Sequence, residues 1–598
     1  MPKNINWLIL STFFLLALFF LRVNNQMLSD TWWHMSVGRE VQETKKIPTS
    51  DSFVYGSKNT NYTSTEWLSG LIFFEIYSKV GVLGLSFFKM IVTVLAAFFL
   101  YKTLTLFIKE KYKIVFALIL TSYLLSFRLS LRPEMFTLLF LSVTNYICLR
   151  YYYHKELSRF LYTLPFIFLV WPNLHGFVPA GLILLTFFAF ISIYEWKILK
   201  VERKHLSQFL IIFLLTLAAG AVQLNRLLFF VAANQFSPYI TEWANLKDAL
   251  LGKADQAFHW EIVIYILILT AYTFAFLKTK KTWINTFYFV VLLFPIKFYR
   301  LVAPVALLTV PQLGYMLEKG NFVKPLFYKI LFFAGLLVIV ITIFIGSAQQ
   351  TWPPPIPERA EKYIRDNLVT KRLFTLGIWS DYFIWNIKGI KTFSDVMNQY
   401  RDNESLYAEK SLVIPDNNPQ ELLKKYDIDT VVNTQVGYNW ASSTKVAGLP
   451  GWKLVYLSES VIIYARNDVI VKSPIDLSVI DPYLNYDFKF QIKDREIAVK
   501  QLENLLIYDP LNAFARNQLI LNDIYENRFD EARKLALESR QLIPNNSYYS
   551  FLLAVIYANQ NDCQKSYQFA KEATAKSPDT TNKSILENLL REKCSLQI

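Results

Sequence analysis

Long apolar runs recur through the first 348 residues of this 598-residue chain and then stop. A stretch such as NWLILSTFFLLALFFLRV (6–23) suits a bilayer, where a helix of about 20 apolar residues satisfies its own backbone and crosses the hydrocarbon. The clearest runs lie at 6–22, 84–108, 112–127, 133–150, 177–194, 207–222, 259–277 and 324–346, with shorter ones at 160–171, 283–295 and 300–316. Together they predict about eleven spans. Two other apolar pieces, 66–80 and 224–233, read as re-entrant or interface-lying helices. The first run lacks a small-x-small cleavage site, so it reads as a retained helix that also targets the chain.

Charge sets the orientation. Charged residues are 18% of the chain and hydrophobic residues 53%, against about 25% and roughly 45–50% in soluble proteins. The net charge of +15 collects in short loops, at Lys102, Lys109, Lys111 and Lys113, at Arg150, Lys155 and Arg159, at Lys197 and Lys200, at Lys278 and Lys280, and at Lys319. Loops of this kind stay in the cytoplasm. They explain the charge without nucleic acid, and with an odd number of spans they place the N-terminus inside and everything from 349 onward outside.

The outer face is chemically richer. SDTWWHMSVGRE (29–40) follows the first run and carries Asp30, Trp33 and His34. The two tryptophans suit the headgroup level or a sugar face. Asp30 reads as an N-cap for a helix, and equally as a base or metal ligand. Asp51 sits in a Pro/Ser/Asp turn. Glu66, in TSTEWLSG, opens the next helix behind a capping Ser64 or Thr65. Arg132 and Arg300 stand at helix N-termini, where the dipole disfavours a cation, and Lys297 lies one turn from Arg300; such placement calls for an anionic partner, a carboxylate or a phosphate. His175, in WPNLHG, marks a polar break between apolar helices. Other outward polar groups include Arg128, Glu134, Glu242 and His259. Carboxylates beside several cations suit a lipid-linked phosphate substrate, with aromatics against a polyprenyl tail. No Walker loop, GxGxxG, HExxH or GxSxG occurs.

The remaining chain reads as soluble. A proline-rich linker (349–356) leads to a small α/β domain (357–468), a second linker (469–491) and a helical segment (492–598). Helix is expected at 358–368, a strand at 371–377, a helix end passing into a strand over KYDIDTVVNT (425–434), and strands either side of the SES turn in WKLVYLSESVIIYARN. Pro510, Pro544 and Pro578 recur every 34 residues, with the small residues Ala498, Ala532 and Ser566 twelve positions before them. That period is tetratricopeptide-like, with ILENLLREK as a capping helix and an envelope protein as the partner such a surface would take. The three cysteines, Cys148, Cys563 and Cys594, are far apart in sequence, form no metal spacing and require no disulfide, although Cys563 and Cys594 could in principle meet.

SDTWWHMSVGREVQETKKIPTSDSF, TSTEWLSGLIFFEIY, LRPEMFTLLF and WPNLHG together resemble a group of bacterial multi-pass proteins related to the GT-C glycosyltransferases. GIWSDYFIWNIKGIKTFSD is similar to that group's outer-domain segment. The resemblance implies a mainly α-helical polytopic fold and sugar transfer from a polyprenyl-phosphate carrier. It also implies an acidic residue in the first external loop. Asp30 best occupies that position, Glu66 and Asp51 are the other acidic candidates, and Arg132 and Arg300 are possible phosphate contacts. Asp30 is followed by Thr-Trp-Trp, so the Asp-x-Asp or Asp-Glu pair is missing, and a divalent cation (Mg or Mn) held by Asp30 stays open. The competing readings are an envelope scaffold acting through the tail and a transporter of lipid-linked glycans.

Overall fold

The computed structural model describes residues 7–23, 27–56, 64–198, 205–222, 244–251, 260–280, 282–320, 325–345, 358–375, 377–397, 419–434, 446–473, 475–480, 494–576 and 580–595, together with 404 and 408. The apolar piece 224–233, Glu242, His259 and the proline-rich linker lie outside them. Each apolar run forms a helix. α1 is Trp7–Arg22, α2 Ser29–Thr44, α3 Trp67–Leu104, α4 Lys111–Ser126, α5 Glu134–His154, α6 Leu164–Leu174, α7 Val178–Lys197 and α8 Leu206–Ala221. Trp260–Lys278, Trp283–Lys297, Val302–Gly320 and Pro325–Ile345 follow.

Among the described residues four helices are long and apolar enough to cross a membrane: Trp67–Leu104, Val178–Lys197, Trp260–Lys278 and Tyr299–Gly320. Shorter apolar helices accompany them, at Trp7–Arg22, Leu206–Ala221, Trp283–Lys297 and Lys329–Ile343. The protein is therefore a multi-pass membrane protein. Phe87, Ile91, Leu95 and Phe98 of α3 stand exposed along one face, as a lipid-facing stripe requires. Neutral polar groups tie the helices inside. Gln312 Nε2 donates to Asn285 Oδ1 (2.6 Å) and Tyr153 Oη (2.7 Å), and Tyr288 Oη donates to Asn145 Oδ1.

α3 is two helices in one. It breaks at Gly81 (φ 68°, ψ −158°), a backbone region that only glycine occupies without strain. The break separates the short piece read from 66–80 from the longer run after it. α2 crosses the first part of α3 at a glycine pair. A Cβ on Gly38 would lie 2.1 Å from the carbonyl oxygen of Gly70, and one on Gly70 would lie 2.3 Å from that of His34. The two backbones touch there, with no side chain between them.

The chain divides into two compact units. One comprises Met1–Asp51, Asn59–Pro353 and Val396–Tyr400; the other comprises Ser52–Lys58, Pro354–Asp395 and Arg401–Ile598. The second unit holds a five-stranded sheet in the order β2-β1-β3-β5-β4, with β1 Arg372–Phe374, β2 Lys391–Thr392, β3 Thr430–Thr434, β4 Trp452–Leu457 and β5 Val461–Arg466. β1 runs parallel to β2 and β3, and β5 runs antiparallel to β3 and β4. The expected strands are all present. An addition not anticipated comes from the loop between α2 and α3: Val54 bridges Thr392 in parallel, Thr392 N–H donates to Phe53 O (2.9 Å), and Tyr55 N–H donates to Thr392 O (3.1 Å). That stretch therefore edges the five-stranded sheet.

Helices Arg495–Tyr508, Ala513–Tyr525, Phe529–Leu542, Tyr548–Asn559, Cys563–Lys576 and Thr580–Cys594 complete the unit. Ala498, Ala532 and Ser566 are fully buried, as small residues at close helix contacts should be. The first helix pair is not a separate module: Ala498, Leu502, Leu505 and Phe514 share one hydrophobic core with the sheet residues Val431, Ile463 and Tyr456. The last helix buries Leu586 and Leu590, and a disulfide joins Cys563 to Cys594.

Two outcomes test this packing. G70A should destabilise the chain by about 1–3 kcal/mol in reversible micelle unfolding, because two backbones must separate to admit the methyl group. Unchanged stability would mean that α2 and α3 do not meet as described. C563S should cost about 3 kcal/mol, the stabilisation typical of a loop this long, and raise amide exchange across Thr580–Cys594. Wild-type exchange in that helix would show that the disulfide is not what holds it.

Candidate functional site

The glycine crossing stacks two functional positions. His34 lies one turn before Gly38 on α2, and Glu66 lies one turn before Gly70 on α3, so closing the glycine contact brings imidazole and carboxylate together. His34 Nε2 stands 3.4 Å from Glu66 Oε2. On the other side, the break after α6 presents His175, whose Nε2 stands 3.7 Å from Glu66 Oε1, and the Gly176 N–H donates to that oxygen at 3.2 Å. Asn173, two residues earlier, accepts from Trp67 Nε1 (2.8 Å), and Leu174 O accepts from Ser69 Oγ. These bonds fasten the 173–176 turn to the start of α3.

Neither expected cap is made. α2 begins after Leu28 with no side-chain cap, and Asp30 lies in its first turn. α3 has Glu66 itself at the N-cap position, again without a side-chain cap bond. Both carboxylates are instead engaged across helices. Asp30 Oδ2 meets Arg132 Nε at 2.9 Å, and Thr31 Oγ1 donates to Leu131 O (2.9 Å), which fixes α2 on the turn before α5. The anionic partner that Arg132 calls for is thus a carboxylate of the same chain. A second pair follows it, Arg128 Nη2 to Glu134 Oε2 at 2.8 Å. Arg300 sits in a short 3₁₀ turn at the head of Val302–Gly320 and acts electrostatically on Glu66 and His175.

Burial decides the protonation states of the groups outside the spans. The Glu66 side chain is only 13% exposed, and burial pushes its carboxyl up to about 7. The Gly176 N–H and Arg300 pull it down, while the charges of Asp30 and Glu134 push it further up. His34 is pushed down to about 3, by burial first and then by His175 and Arg132. His175 falls to about 4, again through burial, with Glu134 opposing and Arg300 and Arg128 reinforcing. At neutral pH both imidazoles are uncharged, and Glu66 is the group that gains or loses a proton.

The other candidates are placed differently. Trp33 is buried with its ring edge-on to His34 (5.2 Å between centroids), so it backs the imidazole. Lys297 is exposed, with its amine over the Phe298 ring. Asp51 is half-buried beyond α2. Among the described residues no group of three or more His, Cys, Asp or Glu side chains is arranged to hold a metal ion, and the Asp30 carboxylate already faces a guanidinium. Sequence reading missed Gly38, Gly70, Thr137 and Trp171, which place the site's side chains; the one legible signal was the matched four-residue spacing of His34–Gly38 and Glu66–Gly70.

No protein-family model matches the chain, and no curated protein matches it in sequence. Solved structures do. The mycobacterial arabinofuranosyltransferase AftD is similar over 78% of this chain and 42% of its own, at 13% identity and a TM-score of 0.51. The oligosaccharyltransferase of Archaeoglobus fulgidus aligns over 77% of this chain and 75% of its own, at 11% identity and a TM-score of 0.49. ArnT from Cupriavidus metallidurans, solved with undecaprenyl phosphate, aligns over 77% and 98%, at 11% identity and a TM-score of 0.37. This chain spans less than half of the AftD chain, and at these identities the likeness concerns fold. The chain thus shares its fold with part of the AftD chain.

Proposed function

We propose that the protein transfers a sugar from a polyprenyl-phosphate-linked donor to a glycan, lipid or protein acceptor, on the extracytoplasmic side of the membrane. The observation that carries this reading is one cluster built from α2, α3, the head of α5, the 173–176 turn and the head of Val302–Gly320. It brings Asp30, Glu66 and Glu134 together with Arg128, Arg132, Arg300 and two neutral imidazoles. The arginines supply charge for the carrier phosphate that leaves. The carboxylates differ in environment, one ion-paired and one buried and titrating near neutrality, which suits them to different tasks. The Cys563–Cys594 disulfide supports placing the tail outside, since such bonds persist in oxidising compartments.

The helical tail suits a docking role beside this chemistry. Its hairpins continue past the core shared with the sheet and build a second one around Ala532, Leu552 and Leu586. A tetratricopeptide-like surface there would take an envelope protein. In a purely scaffolding protein that surface would be the whole function, and the buried, titrating Glu66 would have no task.

D30N and E66Q, each inserted normally in proteoliposomes, should lower sugar incorporation from isolated lipid donors by about 10²–10⁴-fold. Full transfer by both variants would sink the enzymatic reading and leave the scaffold. Because the base must be ionised and burial raises the Glu66 carboxyl to about 7, kcat/KM in the wild type should rise with pH through about 7 and fall away below it. A profile flat from pH 5 to 8 would contradict that role.

A further inference from the structure

A chain of contacts behind Glu66 bears on how its proton is handled. Trp171 Nε1 is solely a donor, and it donates to Thr137 Oγ1 at 2.9 Å. The Thr137 hydroxyl lies 2.7 Å from His175 Nδ1. The buried threonine proton needs an acceptor, and Nδ1 is the one within reach; with the hydroxyl donating to Nδ1, His175 carries its proton on Nε2, the nitrogen that faces Glu66. Thr137 and Trp171 are buried, at 1% and 0% exposure, so solvent does not compete for these bonds. His34 differs: its Nδ1 has no hydrogen-bond partner among the described residues, so no such contact fixes its tautomer.

We propose that Thr137, held by Trp171, is a positioning residue that locks His175 as a hydrogen-bond donor to Glu66, making Glu66 the proton acceptor of the site. The inference rests on the transferase reading for the step it serves. In that step the acceptor's O–H bond breaks while its oxygen bonds the anomeric carbon of the donor sugar. The bond from that carbon to the carrier phosphate breaks, with the electron pair leaving on the phosphate, and the proton passes to the Glu66 carboxylate. His175 Nε2–H and Gly176 N–H then favour the ionised carboxylate for the next cycle. The 3.7 Å separation from His175 is longer than a hydrogen bond, as catalytic contacts often are before substrate closes the site. The other charged or titratable groups bearing on Glu66 are Asp30 and His34 from α2, Glu134 from α5, and Arg300.

The test needs no donor. In the full-length protein in nanodiscs, the infrared band of the protonated Glu66 carboxyl, identified by its loss in E66Q, is followed against pH in wild type, T137V and T137S. T137V keeps the volume but removes the hydroxyl, so the imidazole loses its fixed tautomer and the dipole of Nε2–H is no longer held toward the carboxylate. Its midpoint should move upward by on the order of one pH unit, while T137S restores the wild-type value. An unmoved midpoint in T137V, or T137S behaving as T137V, would overturn the proposal. So would loss of no band in E66Q, which would show that Glu66 does not hold the proton. These readouts stand whether or not sugar transfer is found, so failure of the transferase reading is seen separately.

Discussion

The contact between the backbones of α2 and α3 at Gly38 and Gly70 governs the rest of the site. Ordinary helix pairs are held 8–10 Å apart by their side chains. Here the carbonyl oxygen of one glycine occupies the space that a methyl group of the other would need. The consequence appears one turn away, where His34 and Glu66 meet at 3.4 Å. Buried between helices and away from water, the Glu66 carboxyl shifts toward neutrality, and its protonation becomes sensitive to each donor around it. One packing choice thereby fixes both the geometry and the chemistry of the centre.

Electrostatics completes the arrangement. Two arginines precede α5, where the helix dipole alone would repel them, and each is matched by a carboxylate: Arg132 by Asp30 and Arg128 by Glu134. Ion pairs of this kind gain strength where water is scarce, yet they are costly if either partner is lost. Glu66 is surrounded differently. Its nearest neighbours are neutral rings and a peptide N–H, which stabilise a carboxylate only partly. Asp30 and Glu66 thus lie in one cluster with unlike proton affinity, the condition under which two carboxyl groups divide acid–base and electrostatic work.

Much of this architecture was legible in the sequence, for physical reasons. Apolar runs report membrane helices because burial in lipid tolerates little else, and GVLG at 81–84 separated two helices because only glycine takes the backbone angles found at Gly81. Alternation and turn residues marked four of the five strands of the sheet, but not the two-residue β2 at Lys391–Thr392. Arg132 and Arg300 could be picked out by their position against a helix dipole, but the partner of Arg132 could not, because pairing across 102 positions of sequence depends on helix packing. The cap expected at Asp30 gave way to its pairing with Arg132, and α3 begins with Glu66, not Ser64 or Thr65, at its N-cap position. The Cys563–Cys594 pairing was permitted by spacing and fixed only by the fold of the last two helices.

The edge strand donated by residues 53–55 adds one more constraint. It lies in the loop whose two ends are α2, carrying Asp30 and His34, and α3, headed by Glu66. Each bond among Phe53, Tyr55 and Thr392 lowers the conformational freedom of residues 53–55, so the ordering cost of this stretch is offset where it joins the sheet.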